Sequence, residues 1–165
     1  WAETVAEAQT AAPPADGAGK HPISTERAAL LGEIAARSGK PDAAVPHFQE
    51  ALAIESKGLY AEPPHWYYPV RESLGAALLK AGRNAEAEQV YRDDLKRFPA
   101  NGWSLYGLAA SLRAQGKNAE AAAVEKRFAK AWADADVKLT ASRFYGKKGR
   151  RFRVGDPPLI RQRGR

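Results

Sequence analysis

The 165-residue sequence contains no cysteine and no methionine. The lack of cysteine excludes disulfides, thiolate metal ligands and cysteine nucleophiles. No apolar run approaches the ~18 to 20 residues that a membrane-spanning helix needs. Because the chain begins at Trp1 and has no methionine at all, we expect it to be a fragment or a processed product of a longer protein.

Histidine is also scarce, with only three in the chain. His21, His47 and His65 lack the i, i+3 or i, i+4 spacing that places two ligands on one helix face, so we expect surface histidines and no metal site. No Ser/His/Asp arrangement and no phosphate-binding glycine loop is present. The sequence therefore predicts no cofactor and no enzymatic activity.

The net charge of +7 is concentrated at one end of the chain. From Ser142 onward there are nine basic residues and one acidic residue, Asp156, whereas the rest of the chain is nearly neutral. Residues 143–165 are also rich in glycine and show no helical period, which predicts a flexible basic tail. Such a tail could bind nucleic acid or another polyanion without sequence preference, and the candidate residues are Lys147, Lys148, Arg150, Arg151 and Arg153.

The body of the chain contains an internal repeat. Residues 82–87 recur as residues 116–121, and the same offset of 34 matches Leu74 with Leu108 and Leu78 with Leu112. A third copy lies upstream at an offset of 43, which is one period plus nine inserted residues. The predicted repeats are 25–58, 68–101 and 102–135, with an aromatic-rich insertion at 59–67.

Each copy has the pattern of two amphipathic helices separated by a glycine turn. In the middle copy, Gly82 provides that turn and Asn84 is a candidate N-cap for the second helix. Small residues at Gly75 and Ala87 predict a close approach of the two helices, with Tyr91 filling the space beside them.

These residues resemble the tetratricopeptide repeat family. The middle copy has Leu74-Gly75, then Ala87 four residues before Tyr91, and Pro99 as the closing proline. The resemblance implies an all-α solenoid of about three helix-turn-helix repeats over residues 25–142. It also implies that the chain is a scaffold for a protein or peptide partner and has no catalytic role.

A narrower resemblance links residues 62–71, 73–79, 101–105 and 139–143 to the C-terminal repeat region of a large group of bacterial tetratricopeptide-repeat proteins. It implies a longer parent protein, with residues 1–24 forming a partial helix and a linker. We also expect a short capping helix at about 134–141, before the tail.

By analogy with the family, the first helix of each repeat lines a concave groove that binds the partner. The predicted groove residues are Glu33, Arg37, Glu72, Lys80, Trp103, Tyr106 and Arg113. Within the insertion, His65, Trp66 and Tyr67 are either the edge of this groove or a cover for the apolar junction between two repeats. Solvent-exposed helix faces remain the alternative interpretation of the groove residues.

Overall fold

The computed structural model describes residues 20–56 and 69–143, with side chains described from residue 25 onward. These residues form six α-helices and no strand. The helices are α1 Lys20–Arg37, α2 Pro41–Glu55, α3 Val70–Lys80, α4 Asn84–Arg97, α5 Gly102–Ala114 and α6 Asn118–Ala131.

Three glycines at equivalent positions connect the helices of each pair. Gly39, Gly82 and Gly116 have φ values of 77°, 74° and 76°, in the left-handed region that residues with a Cβ atom disfavour. Each first helix therefore ends at a glycine turn, and the second helix begins within two residues of it. The predicted helix-turn-helix repeats are confirmed in all three copies.

Consecutive helices pack against each other along the whole array, and this arrangement is an α-helical repeat solenoid. Beyond consecutive helices, backbones in the described part of the chain approach each other closely only between first helices: α3 lies close to both α1 and α5. Among the described residues, the second helices are joined to one another by side-chain ion pairs, Glu55 with Arg97 and Arg92 with Glu120, and not by a close approach of their backbones. Because the first helices lie closer together, α1, α3 and α5 form the inner, concave side of the array.

Aromatic rings fill the space that glycines leave between helices. A Cβ added at Gly32 would overlap the ring of Phe48, and one added at Gly75 would overlap the ring of Tyr91. Tyr91 and Phe48 are both fully buried. The prediction that Gly75 admits Tyr91 is confirmed, and Phe48 has the same role in the first repeat.

The predicted capping helix at about 134–141 is wrong. Residues 132–143 form turns and bends after α6 ends at Ala131. The Trp132 ring lies against Gly102, where an added Cβ would overlap it, and the indole N–H donates to the Val137 carbonyl at 2.6 Å. These contacts turn the chain back toward the array, so the helix cannot continue.

Two further local predictions differ from the structure. The N-cap of α4 is Arg83 and not Asn84, and no side chain caps that helix end. Instead the Arg83 guanidinium binds both carboxylate oxygens of Glu86 at 2.7 Å. Helix α1 begins at Lys20, before the predicted start of the first repeat at residue 25.

Some predicted segments lie outside the described residues. They are the partial helix before residue 20, the insertion 59–67 with His65, Trp66 and Tyr67, and the basic tail beyond Arg143. No helix in the described part of the chain is long and apolar enough to cross a membrane.

Candidate functional site: the inner face of the array

The chain after α6 folds back onto the inner face of the array; we call residues 132–143 the return segment. Leu139 and Ser142 are buried in an otherwise largely exposed stretch. The Ser142 hydroxyl lies 2.6 Å from the Tyr91 hydroxyl, and the Arg143 Nε lies 3.7 Å from Glu33 Oε1 of α1. Since the segment starts at the end of α6 and reaches α1, it crosses all three repeats.

Tyr91 connects the core to the return segment. It belongs to α4, and its ring fits between Gly75 of α3 and Gly107 of α5, where an added Cβ at either glycine would overlap it. Its hydroxyl then reaches the inner face and pairs with Ser142. Burial raises the pKa of Tyr91 well above its ordinary value, so the hydroxyl stays protonated and can either donate or accept this hydrogen bond.

Glu33 is the first of two buried carboxylates on the inner face. The Ser73 hydroxyl of α3 donates to Glu33 Oε1 at 3.2 Å, and the Arg37 Nε donates to Glu33 Oε2 at 3.2 Å. Arg143 approaches the same carboxylate from the return segment. Glu33 thus connects α1 with α3 and with the end of the described chain.

Glu72 is the second buried carboxylate, and a polar network holds it. The Asn101 amide nitrogen lies 2.8 Å from both Glu72 Oε1 and Asp94 Oδ2, and the Ser104 hydroxyl donates to Asp94 Oδ2 at 2.6 Å. Burial is the main cause that raises the pKa of Glu72, and the Asp94 charge adds to it. The hydrogen bond from Asn101 and the charge of Arg143 act in the opposite direction.

An open cavity of about 340 Å³ lies next to Glu72, and its walls include Pro69, Glu72, Trp103 and Arg143. One wall is therefore apolar and aromatic, while another combines a carboxylate with a guanidinium. The Trp132 ring packs edge to face against Trp103, with the two ring centroids 5.8 Å apart. This cavity can accept a side chain that combines an apolar stem with a charged end.

The structure brings three of the predicted groove residues together: Glu33, Glu72 and Trp103 surround Arg143. Arg37 joins them through its ion pair with Glu33. Tyr106 lies on the same helix as Trp103, half-buried, with its ring 5.8 Å from that of Phe128.

Two predicted groove residues lie elsewhere. Lys80 is exposed at the C-terminal end of α3. Arg113 binds Glu125 of α6 through two hydrogen bonds of 2.6 and 2.7 Å. Neither side chain lines the cavity beside Glu72.

Sequence reasoning missed the roles of Asp94, Asn101, Ser142 and Arg143. Asp94 and Asn101 lie near the end of a repeat, where polar residues are ordinary, and residues 142–143 lie where the basic tail was predicted to begin. One signal was present, because residues 139–143 were part of the narrower family resemblance. That signal did not indicate where the segment packs.

Among the described residues, no group of three or more histidine or acidic side chains could hold a metal ion. The inner face instead offers buried carboxylates, a protonated phenol and half-exposed aromatic rings. These groups bind by charge, hydrogen bonding and apolar contact.

Comparison with known proteins agrees with this architecture. A family model described as Tetratricopeptide repeat matches residues 69–93 and 102–124. The two matches cover α3 and α5 with most of α4 and about half of α6. No curated protein matches the chain, and no solved structure matches it. The two matched repeats, and the third helix pair α1–α2 with the same glycine turn, show that this chain is a tetratricopeptide-repeat protein.

Proposed function

We propose that this protein binds a non-helical segment of a partner protein on the inner face formed by α1, α3 and α5. Tetratricopeptide repeats generally mediate protein–protein interaction. The observation that carries the proposal is the return segment, which is irregular chain held on this face by side-chain contacts. A surface that binds chain in this way within one molecule has the shape and chemistry to bind it from another.

The buried polar groups add specificity to this surface. Glu33 and Glu72 each have at least one hydrogen-bond donor from the array itself, so their carboxylates are fixed before any partner arrives. Fixed groups lose little conformational entropy on binding. The proposal includes no catalytic step, in keeping with the general role of the family as a non-catalytic scaffold.

A selection from a random peptide library on the full chain tests this proposal. Selected peptides should lose about tenfold in affinity on a Glu72→Gln variant, which is the loss of roughly 1.4 kcal/mol expected for one charged contact. Asp93→Asn is the matched control, because Asp93 is an exposed carboxylate of the second helix α4. If the selected peptides bind the original chain and both variants with equal affinity, the binding site lies on another surface.

A second candidate function is electrostatic binding of nucleic acid through the tail, favoured by the nine basic residues from Ser142 onward. A chain ending at Arg143 keeps every described contact and loses most of this charge. If the tail carries the function, a labelled single-stranded oligonucleotide should bind the full chain at ~0.15 M salt and be released at ~0.5 M. The shortened chain should then not bind it.

A further inference from the structure

We infer that the return segment is an internal ligand of the inner face, and that the external partner presents a non-helical basic segment in which a small hydroxyl residue precedes an arginine. This inference rests on the proposed function, because it names the chemistry of the ligand that the same surface binds. The partner and the return segment then compete for one site.

The first part of the site recognises a hydroxyl group. The Tyr91 hydroxyl lies at the inner end of a fully buried ring and meets the Ser142 hydroxyl at 2.6 Å. Ser142 is only 4% exposed, so the space around its side chain is small. A ligand residue at this position must therefore be small, and a hydroxyl is needed because a buried phenol without a partner is costly.

The second part of the site recognises a positive charge. Arg143 Nε lies 3.7 Å from Glu33, and the charge of Arg143 also acts on Glu72. Two carboxylates on different first helices favour the planar, multiply donating guanidinium over a lysine ammonium. The buried carboxylates and the cation beside them are complementary in charge, which is what selects a basic ligand.

The middle of the return segment is exposed and irregular. Residues 133–138 are all exposed, and the segment forms no helix or strand. Trp132 packs against Gly102 at the start of the segment, Ser142 and Arg143 contact the inner face at its end, and the distance from Arg143 Nε to Glu33 Oε1 is longer than a hydrogen bond. An irregular segment with so few buried side chains can open locally while the helices stay folded.

Tethering nevertheless gives the return segment a large advantage over a free peptide. A short flexible connection produces an effective concentration on the order of 1 mM. If the free segment binds with a Kd of about 100 µM, the tethered copy reduces the apparent affinity of a competing peptide about tenfold. The site is therefore selective for partners that bind better than the chain's own sequence.

The test uses a fluorescent peptide with the sequence of residues 137–143 and the full chain carrying Arg143→Glu. This substitution places a carboxylate against Glu33 and Glu72 and should expel the segment. The peptide should bind this variant about tenfold more tightly than the original chain, as measured by fluorescence anisotropy. A peptide with glutamate in place of its arginine should bind neither protein.

Two further variants locate the bound peptide. Adding Glu33→Gln to the opened chain should weaken peptide binding about tenfold, whereas adding Asp93→Asn should leave it unchanged. Circular dichroism confirms that each variant folds. If Arg143→Glu fails to fold, Ser142→Ala combined with Arg143→Ala removes the same contacts without adding repulsion and takes its place.

The outcomes separate the ligand chemistry from the proposed function. Equal binding of the peptide to the original and opened chains, or no binding to either, overturns the inference. Library peptides that still depend on Glu72 would in that case leave the proposed function standing. If the opened chain instead dimerises in sedimentation experiments, and Glu33→Gln prevents it, a second copy is the occupant and the inference of an external partner is overturned.

Discussion

The second repeat, α3 and α4, and the third repeat, α5 and α6, carry opposite chemistry at matching positions. Glu72 and Asp94 are a buried pair of carboxylates joined by the Asn101 amide. The residues 34 positions later are Tyr106 and Phe128, whose rings pack edge to face at 5.8 Å. Two equivalent positions of the repeat thus hold a polar network in the second repeat and an aromatic pair in the third.

At another pair of matching positions, the aromatic residue is in the second repeat and the polar residue is in the third. Tyr91 of the second repeat is fully buried, whereas its counterpart in the third repeat, Glu125, is only half-buried and binds Arg113. Tyr91 needs the helix of the following repeat, because Gly107 of α5 forms one wall of its site. Glu125 lies on the last described helix, and the Arg113 guanidinium of α5 is its partner there. Position in the array therefore decides which residue type a repeat site can hold.

The largest expected effect is at the buried aromatic position. Tyr91→Ala should lower the free energy of unfolding by about 4 kcal/mol, because it leaves a cavity between α3 and α5. Denaturant titration followed by circular dichroism measures this change. Glu125→Ala at the matching site should leave the unfolding midpoint unchanged. A similar loss for both variants would mean that the two repeats do not differ as the structure indicates.

A smaller effect is expected at the glycine that admits this ring. Gly75→Ala should destabilise by about 2 kcal/mol, since overpacking against Tyr91 outweighs the better helix propensity of alanine. The third repeat already has alanine at the matching position, Ala109, because no ring enters there. Combining Gly75→Ala with Tyr91→Ala should recover part of the loss. If the two effects simply add, the ring and the glycine are not in contact.

A polar contact between the repeats should contribute less. Glu88 of α4 accepts from Lys117 at 2.8 Å, from Gln115 at 2.9 Å and from Arg92 at 2.8 Å, whereas the matching residue of the third repeat is Ala122. These donors, Lys117 first, lower the pKa of Glu88 to about 2. Glu88→Gln should cost about 1 kcal/mol at pH 7.

The sign of the pH dependence follows from this lowered pKa. The contribution of Glu88 is complete above the unfolded pKa of about 4.5 and is lost as pH falls toward about 2. The original chain and the Glu88→Gln variant should therefore differ in stability at pH 7 and converge near pH 2. A difference that stays constant over this range would exclude a contribution from the ionised carboxylate.

The smallest effect is expected at Glu72. Burial raises its pKa, so the folded chain binds more protons than the unfolded chain just above the ordinary glutamate pKa, and stability falls as pH rises through that interval. Glu72→Gln should remove this loss of stability. Between pH 4 and 7, the difference in free energy of unfolding between the variant and the original chain should change by less than about 1 kcal/mol. If the stability of the Glu72→Gln variant and that of the original chain depend on pH in the same way, the raised pKa of Glu72 is contradicted.

Much of the fold could be predicted from local sequence. The 34-residue period, the turn glycines and the pairing of Gly75 with Tyr91 depend on side-chain size and backbone freedom within one repeat, and all were found as predicted. The second wall of the Tyr91 site, Gly107, was not predicted, because it belongs to another repeat. The capping helix was predicted wrongly, since the contacts of Trp132 with Gly102 and Val137 compete with a helix there.

The candidate site was predicted less completely. Glu33, Glu72 and Trp103 follow from their places on the first helices, and the structure brings them together. Ser142 and Arg143 reach them only because the chain reverses after α6, and no periodic pattern encodes that reversal. The resemblance to a bacterial group remains a prediction.

Tyr91 has a consequence for how the array unfolds. Its ring touches glycines of two repeats and its hydroxyl touches the return segment, so separating α5 from α3 removes one wall of its site and exposes the ring. Repeat arrays commonly fray one repeat at a time from their ends. Here the backbone amides of α3 and α5 should exchange with solvent in one cooperative opening, whereas those of α6 open earlier and independently.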